Sequence, residues 1–272
     1  MLKLYVFAVV TFLFAPIFVI VLFSFNASPS LVFPMEGLSL HWYRELISSY
    51  DFQRSFLNSL KVGLGATVCT TILGTLAALA LIRISRRWRV VFEFLAFAPI
   101  GLPGLFLGVA LVTLFAELGL ARNLFTVTVA HVLFTLPFFI EAMRSRITYF
   151  DRSLEEAARD LGASPFQVFA RVTVPILLPT IAGAAILSFA LSFDEFIITV
   201  FVSGNDTTMP LYIWSMMRRT INPTINAASV ITLAFSLSII ALAGLWIWYQ
   251  RKRAMGIRNP ASSEFLDQET VA

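Results

Sequence analysis

Residues 151–175 read DRSLEEAARDLGASPFQVFARVTVP, a polar stretch lying between apolar runs. Ser153, followed three residues later by Glu156, has the form of a capping box, in which side chains at both ends satisfy backbone donors of a first helical turn. A helix is therefore expected to begin there. Leu154, Ala157, Ala158 and Leu161 fall at i, i+3, i+4 and i+7 and make one apolar stripe, and Gly162 stands where a left-handed residue would end the helix. Ser164 and Pro165 read as the cap and first residue of a second helix, with Phe166, Phe169 and Ala170 as its stripe and its end by Pro175. Such an element is either an amphipathic connector on a membrane surface or a docking surface for another protein. Paired alanines offer little area to lipid but permit close approach, and Glu155, Arg159 and Asp160 supply orienting charge.

Working outward, the chain around this stretch is too apolar for water. Of its 272 residues 58% are hydrophobic and 13% charged, against about 45–50% and about 25% in soluble domains. Runs at 4–25, 59–82, 90–115, 124–141, 181–203 and 228–249 are each long enough to cross a bilayer as a helix. They lack the alternation of a membrane strand, so the expected fold class is an all-α integral membrane protein with six transmembrane helices. The first run, after Lys3 and before Asn26-Ala27-Ser28, resembles a secretory signal, but it is longer than the usual signal core and reads as an uncleaved anchor.

Charge then sets an orientation. With the N-terminus in the cytosol, the inner segments hold Lys3, Arg83, Arg86, Arg87, Arg89, Arg144, Arg146, Arg152, Arg159, Arg171, Arg251, Lys252, Arg253 and Arg258. The outer segments hold Arg44, Arg54, Lys61, Arg122, Arg218 and Arg219. Both termini in the cytosol satisfy the positive-inside rule, which places 151–175 there too. The net charge of +4 suits anionic headgroups of the lipid bilayer; nucleic acid is not expected as a partner. The sequence divides into 1–57, an anchor helix with an outer loop; 58–250, the membrane core; and 251–272, a cytosolic tail expected to be disordered, with a polar end from Ser262 to Ala272. No internal repeat is evident.

Several chemistries have no support. There is no G-x-x-x-x-G-K-[ST] loop, so any nucleotide must be bound by a partner. His41 and His131 are the only histidines, no H-E-x-x-H or Cys/His cluster occurs, and Cys69 is the sole cysteine, so neither a metal site nor a disulfide is expected. No G-x-S-x-G elbow occurs either, and the chain is not expected to be an enzyme.

Glu156-Ala157-Ala158, Gly162 after three residues, and Val172-x-Val174-Pro175 after nine more resemble the EAA loop of ABC importer permeases, E-A-A-x3-G-x9-I-x-L-P, with valines at the two apolar positions. The resemblance implies a type I ABC importer permease-like (MetI-like) fold. It also implies that the loop is a coupling helix seated in a cytosolic ATPase, carried by Ser153, Glu155, Glu156, Ala157, Ala158 and Gly162. Phe23-Ser24-Phe25-Asn26, Trp42-Tyr43-x-x-Leu46, Asn58-Ser59-Leu60, Ser192-Phe193-Asp194-Glu195, Phe201-Val202-Ser203-Gly204 and Asn222-Pro223-x-x-Asn226-Ala227 are similar to the second permease subunit of spermidine/putrescine-type importers. Polyamine permeases often carry Leu-Asp-Asp where this chain has Phe193-Asp194-Glu195. The implied partners are a second permease subunit, two ATPase subunits that bind ATP and magnesium, and a periplasmic binding protein, with no cofactor in this chain, in a bacterial inner membrane. The rival readings are an importer of another small solute, such as an amino acid, opine or other organic cation, and a stand-alone secondary transporter or channel.

Asp194 and Glu195 are expected near the middle of the fifth span, where a charge is costly and points to function. Ser188, Ser192, Glu195, Thr199 and Ser203 would share one helix face, with Asp194 about 100° away. Two roles are open for this group: lining a passage for a cationic solute, with Asp194, Glu195, Ser192 and Thr199 as its residues, or interhelical hydrogen bonding with a partner permease. His131 reads as a helix-helix donor, and Glu93 and Glu141 as interfacial partners of Arg89 and Arg144. Pro99 and Pro103 break the third span, either as a packing kink or as a hinge.

Overall fold

The computed structural model describes residues 2–219 and 221–256. The tail expected to be disordered over 251–272 is helical up to Gly256, and the rest of it, with the polar end from Ser262 to Ala272, lies outside the described residues. The described residues form α1 (Leu2–Ser24), α2 (His41–Ser48), α3 (Tyr50–Leu81), α4 (Arg86–Gly101), α5 (Gly104–Glu117), α6 (Leu124–Ile147), α7 (Ser153–Asp160), α8 (Pro165–Val168), a π-helical turn (Phe169–Thr173), α9 (Val174–Phe193), α10 (Ile197–Val202), α11 (Met209–Arg219) and α12 (Pro223–Gly256). The all-helical class agrees with the sequence. Five helices are long and apolar enough to cross a membrane, and a sixth crossing exists if α4 and α5 count as one bent span.

The centre is a bundle of α3, α6 and α9. Its helices approach closely because α3 carries glycine where the neighbours carry rings: a Cβ on Gly74 would fall on the Phe139 ring of α6, and one on Gly63 would lie 2.9 Å from Phe189 of α9. Without a water-driven hydrophobic effect between helices in lipid, such small-against-large packing supplies the association. One end of the bundle buries Leu79, Phe139, Met143, Ile147 and Leu177, and the other buries Val62, Val127, Ile198 and Val202 with α5 residues Leu107, Leu111 and Phe115. By contrast, the apolar window of α1 is only 6% buried, and its main helix neighbour is α12. A helix that is apolar all round and uncovered by its own chain is in lipid or against another subunit.

Three boundaries differ from the sequence reading, each for a local reason. The third span is split: α4 and α5 meet at 107°, because Pro103 drives Leu102 to an extended ψ of 131°. The fifth span starts at Val174 instead of 181. The helix does not run out at Pro175, since the π-helical turn widens the ladder just where the proline lacks an N–H and its ring would clash one turn back. The same span ends at Phe193, ten residues before the expected end. There the Glu195 carboxylate takes the Ile198 N–H at 2.9 Å and starts α10 as a separate helix. Finally, Glu93 pairs with Arg144 at 3.4 Å and not with Arg89, while Glu141 pairs with Arg144 at 3.9 Å as expected.

The connection between α1 and α3 is ordered by the motifs noted in the sequence. Trp42 Nε1 donates to the Asn26 carbonyl at 2.7 Å, Ser24 and Tyr43 hydroxyls are 2.7 Å apart, and Asn58 and Ser59 bind the backbone of Thr207 and Met209 where α11 begins. These pairs join α1, α2, α3 and α11 at one end of the molecule, the end that carries the α9–α10 break.

Candidate functional site

Two places concentrate polar chemistry, at opposite ends of α9. At the first, α7 forms as an eight-residue helix, but its start differs from expectation. Ser153 is the first helical residue and not the cap; Asp151 Oδ1 accepts its N–H at 2.9 Å. The bonds to Ser153 hold the exposed Asp151 carboxyl below its ordinary range, so this contact is present at neutral pH and is lost as pH falls through the lowered value. The end matches expectation. Gly162 has φ +84°, its N–H reaches the Arg159 carbonyl at 2.8 Å, and Ala163 N–H reaches Ala158 at 3.1 Å, the paired bonds of a Schellman motif. Ser164 then caps the next helix reciprocally with Gln167, with Pro165 in its first turn.

The two faces of α7 have different environments. Leu154, Ala157 and Leu161 are exposed, Leu161 at 90% and Leu154 at 48%, and Glu156 and Gly162 are exposed beside them. Phe166, at 76%, extends this ridge onto α8. Glu155 alone among the named loop residues points inward, 7% exposed. Arg83 Nη2 lies 3.2 and 3.3 Å from its two oxygens, the Thr173 hydroxyl donates at 2.6 Å, and Arg159 is 3.8 Å away. Arg83 and Thr173 had no signal in the sequence, since one is an ordinary inner-loop arginine and the other a threonine within an apolar run.

At the second place, Asp194 and Glu195 sit in the break between α9 and α10 instead of mid-helix. The expected stripe is therefore not one helix face, yet most of its members still converge. Ser192 and Thr199 are buried, at 2.7 Å from His131 Nδ1 and 2.9 Å from His131 Nε2. Thr199 gives its own proton to the Glu195 carbonyl at 2.8 Å, which leaves its oxygen to accept from Nε2. His131 is a helix-helix bridge, as the sequence suggested, and it spans both sides of the break.

Asp194 is exposed and lines an open cleft of about 350 Å³ with Phe196, Pro210, Ile213, Trp214, Thr232 and Leu233 among its walls. The Phe196 and Trp214 rings are 5.3 Å apart. Glu195 is turned back to cap α10, and Ser192 and Thr199 are turned into the His131 bridge, so of the four expected passage residues only Asp194 reaches the cleft. Trp214 escaped the sequence reading because it comes from α11, outside every apolar run, and Phe196 because it is one apolar residue among many in the run 181–203. Among the described residues no three His, Cys, Asp or Glu side chains group as a metal ion would require.

Residues 70–253 match the family described as binding-protein-dependent transport system inner membrane component. The putrescine transport system permease protein PotI of Escherichia coli (strain K12) is 37% identical over 90% of this chain and 88% of its own length. The spermidine/putrescine transport system permease protein PotC of Haemophilus influenzae is 31% identical over 89% of this chain and 94% of its own. Among solved structures, a chain of a bacterial ABC transporter involved in import of the acidic polysaccharide alginate superposes with a TM-score of 0.72 at 17% identity, covering 92% of this chain and 94% of that one. A chain of the MetNI methionine ABC transporter in inward-facing form gives 0.63 at 16%, covering 78% and 99%. At such identities these two show the fold alone, that of MetI-like permeases. Family match and relatives together cover the bundle, the α7 loop and the acidic break, and on them the chain belongs to the binding-protein-dependent transport system inner membrane components: it is a multi-pass permease subunit of an ABC importer, not an enzyme.

Proposed function

We propose that this subunit carries a polyammonium solute of the putrescine and spermidine class, driven by an ATPase seated on the outer face of α7. The observation that carries the solute class is the Asp194 carboxylate on a cleft wall that also holds Phe196 and Trp214. A carboxylate beside aromatic faces is the environment an alkylammonium chain seeks: the charge attracts the nitrogen and the rings shelter its methylenes and attract the cation. The two relatives above, permease proteins of putrescine and of spermidine/putrescine transport systems, support the same class. The ridge of Leu154, Ala157, Leu161 and Phe166, with Glu156 and Gly162 beside it and Ser153 at its start, is the surface offered to the ATPase.

In this reading ATP and magnesium belong to two ATPase subunits, a periplasmic binding protein delivers the solute, and a second, different permease chain completes the passage in a bacterial inner membrane. Both termini and α7 face the cytosol. Residues 1–57 form the anchor and outer loop, 58–250 the permease core, and 251–272 a cytosolic tail, of which α12 already includes residues to Gly256.

The test is uptake of labelled putrescine by cells expressing the complete importer as their only polyamine carrier. Asp194→Asn lowers uptake about tenfold, corresponding to about 1.4 kcal/mol, with complex assembly unchanged. Glu195→Gln has the smaller effect, because its amide oxygen can still accept the Ile198 N–H. Full uptake by Asp194→Asn would remove the cation-binding role.

A further inference from the structure

We infer that Glu155 is the mechanical joint between α7 and the membrane helices, and not one of the contacts made to the ATPase. This rests on the reading that α7 docks the ATPase, and concerns the opposite face of the same helix. Glu155 is buried while Glu156 and Ala157 next to it are exposed, so a partner arriving on the ridge does not reach it. Its carboxylate instead gathers three elements. Arg83, 3.2 Å away, lies two residues beyond the end of α3; Thr173, 2.6 Å away, is the last residue of the π-helical turn; Glu155 itself belongs to α7. Arg152 adds a second tie to the α3 end, donating to the Ile82 carbonyl at 2.8 Å.

The π-helical turn passes without interruption into α9. That helix has 20 residues, and at about 1.5 Å per residue it is a rod of about 30 Å. Its base is held by Glu155 through Thr173, and its far end carries Asp194. A displacement of α7 is thus applied at the foot of the helix that positions the acidic break, and simultaneously at the end of α3. A buried carboxylate suits this task. Its oxygens are shared among donors from different elements, so each element that moves alone takes a partner from a buried charge, and the loss of Arg83, itself half exposed, leaves only Arg159 at 3.8 Å to balance it.

The test uses the complete importer in proteoliposomes, with its ATPases and binding protein, and reads ATP hydrolysed per labelled putrescine imported alongside ATPase co-purification. Glu155→Gln keeps an acceptor for Thr173 and removes the attraction for Arg83; Thr173→Val keeps shape and removes the hydroxyl. Both are expected to retain the ATPase and hydrolyse within twofold of the parent, while the ATP spent per solute rises fivefold or more. Thr173→Ser, which restores the hydroxyl, returns the ratio to within twofold. A part that merely held the fold together would lower hydrolysis and uptake in proportion. An unchanged ratio in both variants, or loss of the ATPase from both, overturns the joint. Leu161→Asp on the outer ridge tests docking separately: if it keeps the ATPase while Glu155→Gln uncouples, the docking surface lies elsewhere and the joint stands.

Discussion

His131 shows how much a single buried side chain can decide. Its two nitrogens bind hydroxyls on either side of the α9–α10 break, so one ring serves both at once. Replacing it by leucine leaves the buried Ser192 hydroxyl without that partner, at about 1–3 kcal/mol, while Thr199 keeps its bond to the Glu195 carbonyl. His131→Leu is therefore expected to lower the thermal midpoint of the purified complex by several degrees. His131→Gln, which still offers a donor and an acceptor, should lower it less. Equal midpoints for the leucine variant and the parent would show that the bridge contributes nothing. This residue was legible as a helix-helix donor, but its partners were not. Ser192 and Thr199 belonged to a face drawn on a continuous helix, and the face dissolves once the helix stops at Phe193. The same stop exchanges the roles of the acidic pair: a residue off the stripe, Asp194, reaches the cleft, while Glu195 on the stripe caps a helix.

Elements were read from hydropathy, which counts apolar length and is blind to the direction of the backbone. It located the cores of α1, α3, α6 and α12 within a few residues on the membrane side, yet missed that α3 begins at Tyr50, because that first turn is polar and capped by Ser49. It could not show that α5 turns through 107° to lie against α10, since two apolar segments joined by prolines give the same sum whether straight or bent. The contact that matters most to the bundle was equally invisible. Gly74 is one of several glycines in an apolar run, and only the arrangement of α6 reveals that it seats the fully buried Phe139 ring. Gly74→Leu therefore overpacks the α3–α6 crossing and is expected to destabilise it by about 1–3 kcal/mol. Gly183→Leu, where a Cβ meets nothing within 4 Å, serves as its control. Limited proteolysis of the two variants in detergent should cleave the first sooner; equal protection would mean the ring can move aside.

At the scale of the molecule, α7 and the connection between α1 and α3 lie at opposite ends of the bundle, and charge alone assigns which end is cytosolic. Single cysteines decide it. In a Cys69→Ser background, needed because Cys69 is exposed, Leu161→Cys should react with a membrane-impermeant thiol reagent only from the cytosolic side and Leu38→Cys only from the other; the reverse pattern inverts the topology. The polarity of the loops carried this much information in one dimension. What it could not carry is how the ends are keyed to each other, and there the π-helical turn at Phe169–Thr173 has an effect on lineage. It holds one residue more than an α-helical path over the same rise, so deleting a single residue there would leave the flanking helices in phase but put Pro175 back into an α-helical ladder, where its ring meets the carbonyl one turn back. Descendants of this chain can thus shed that residue only together with Pro175: in this stretch a change in length and a change in spelling are inherited as a pair.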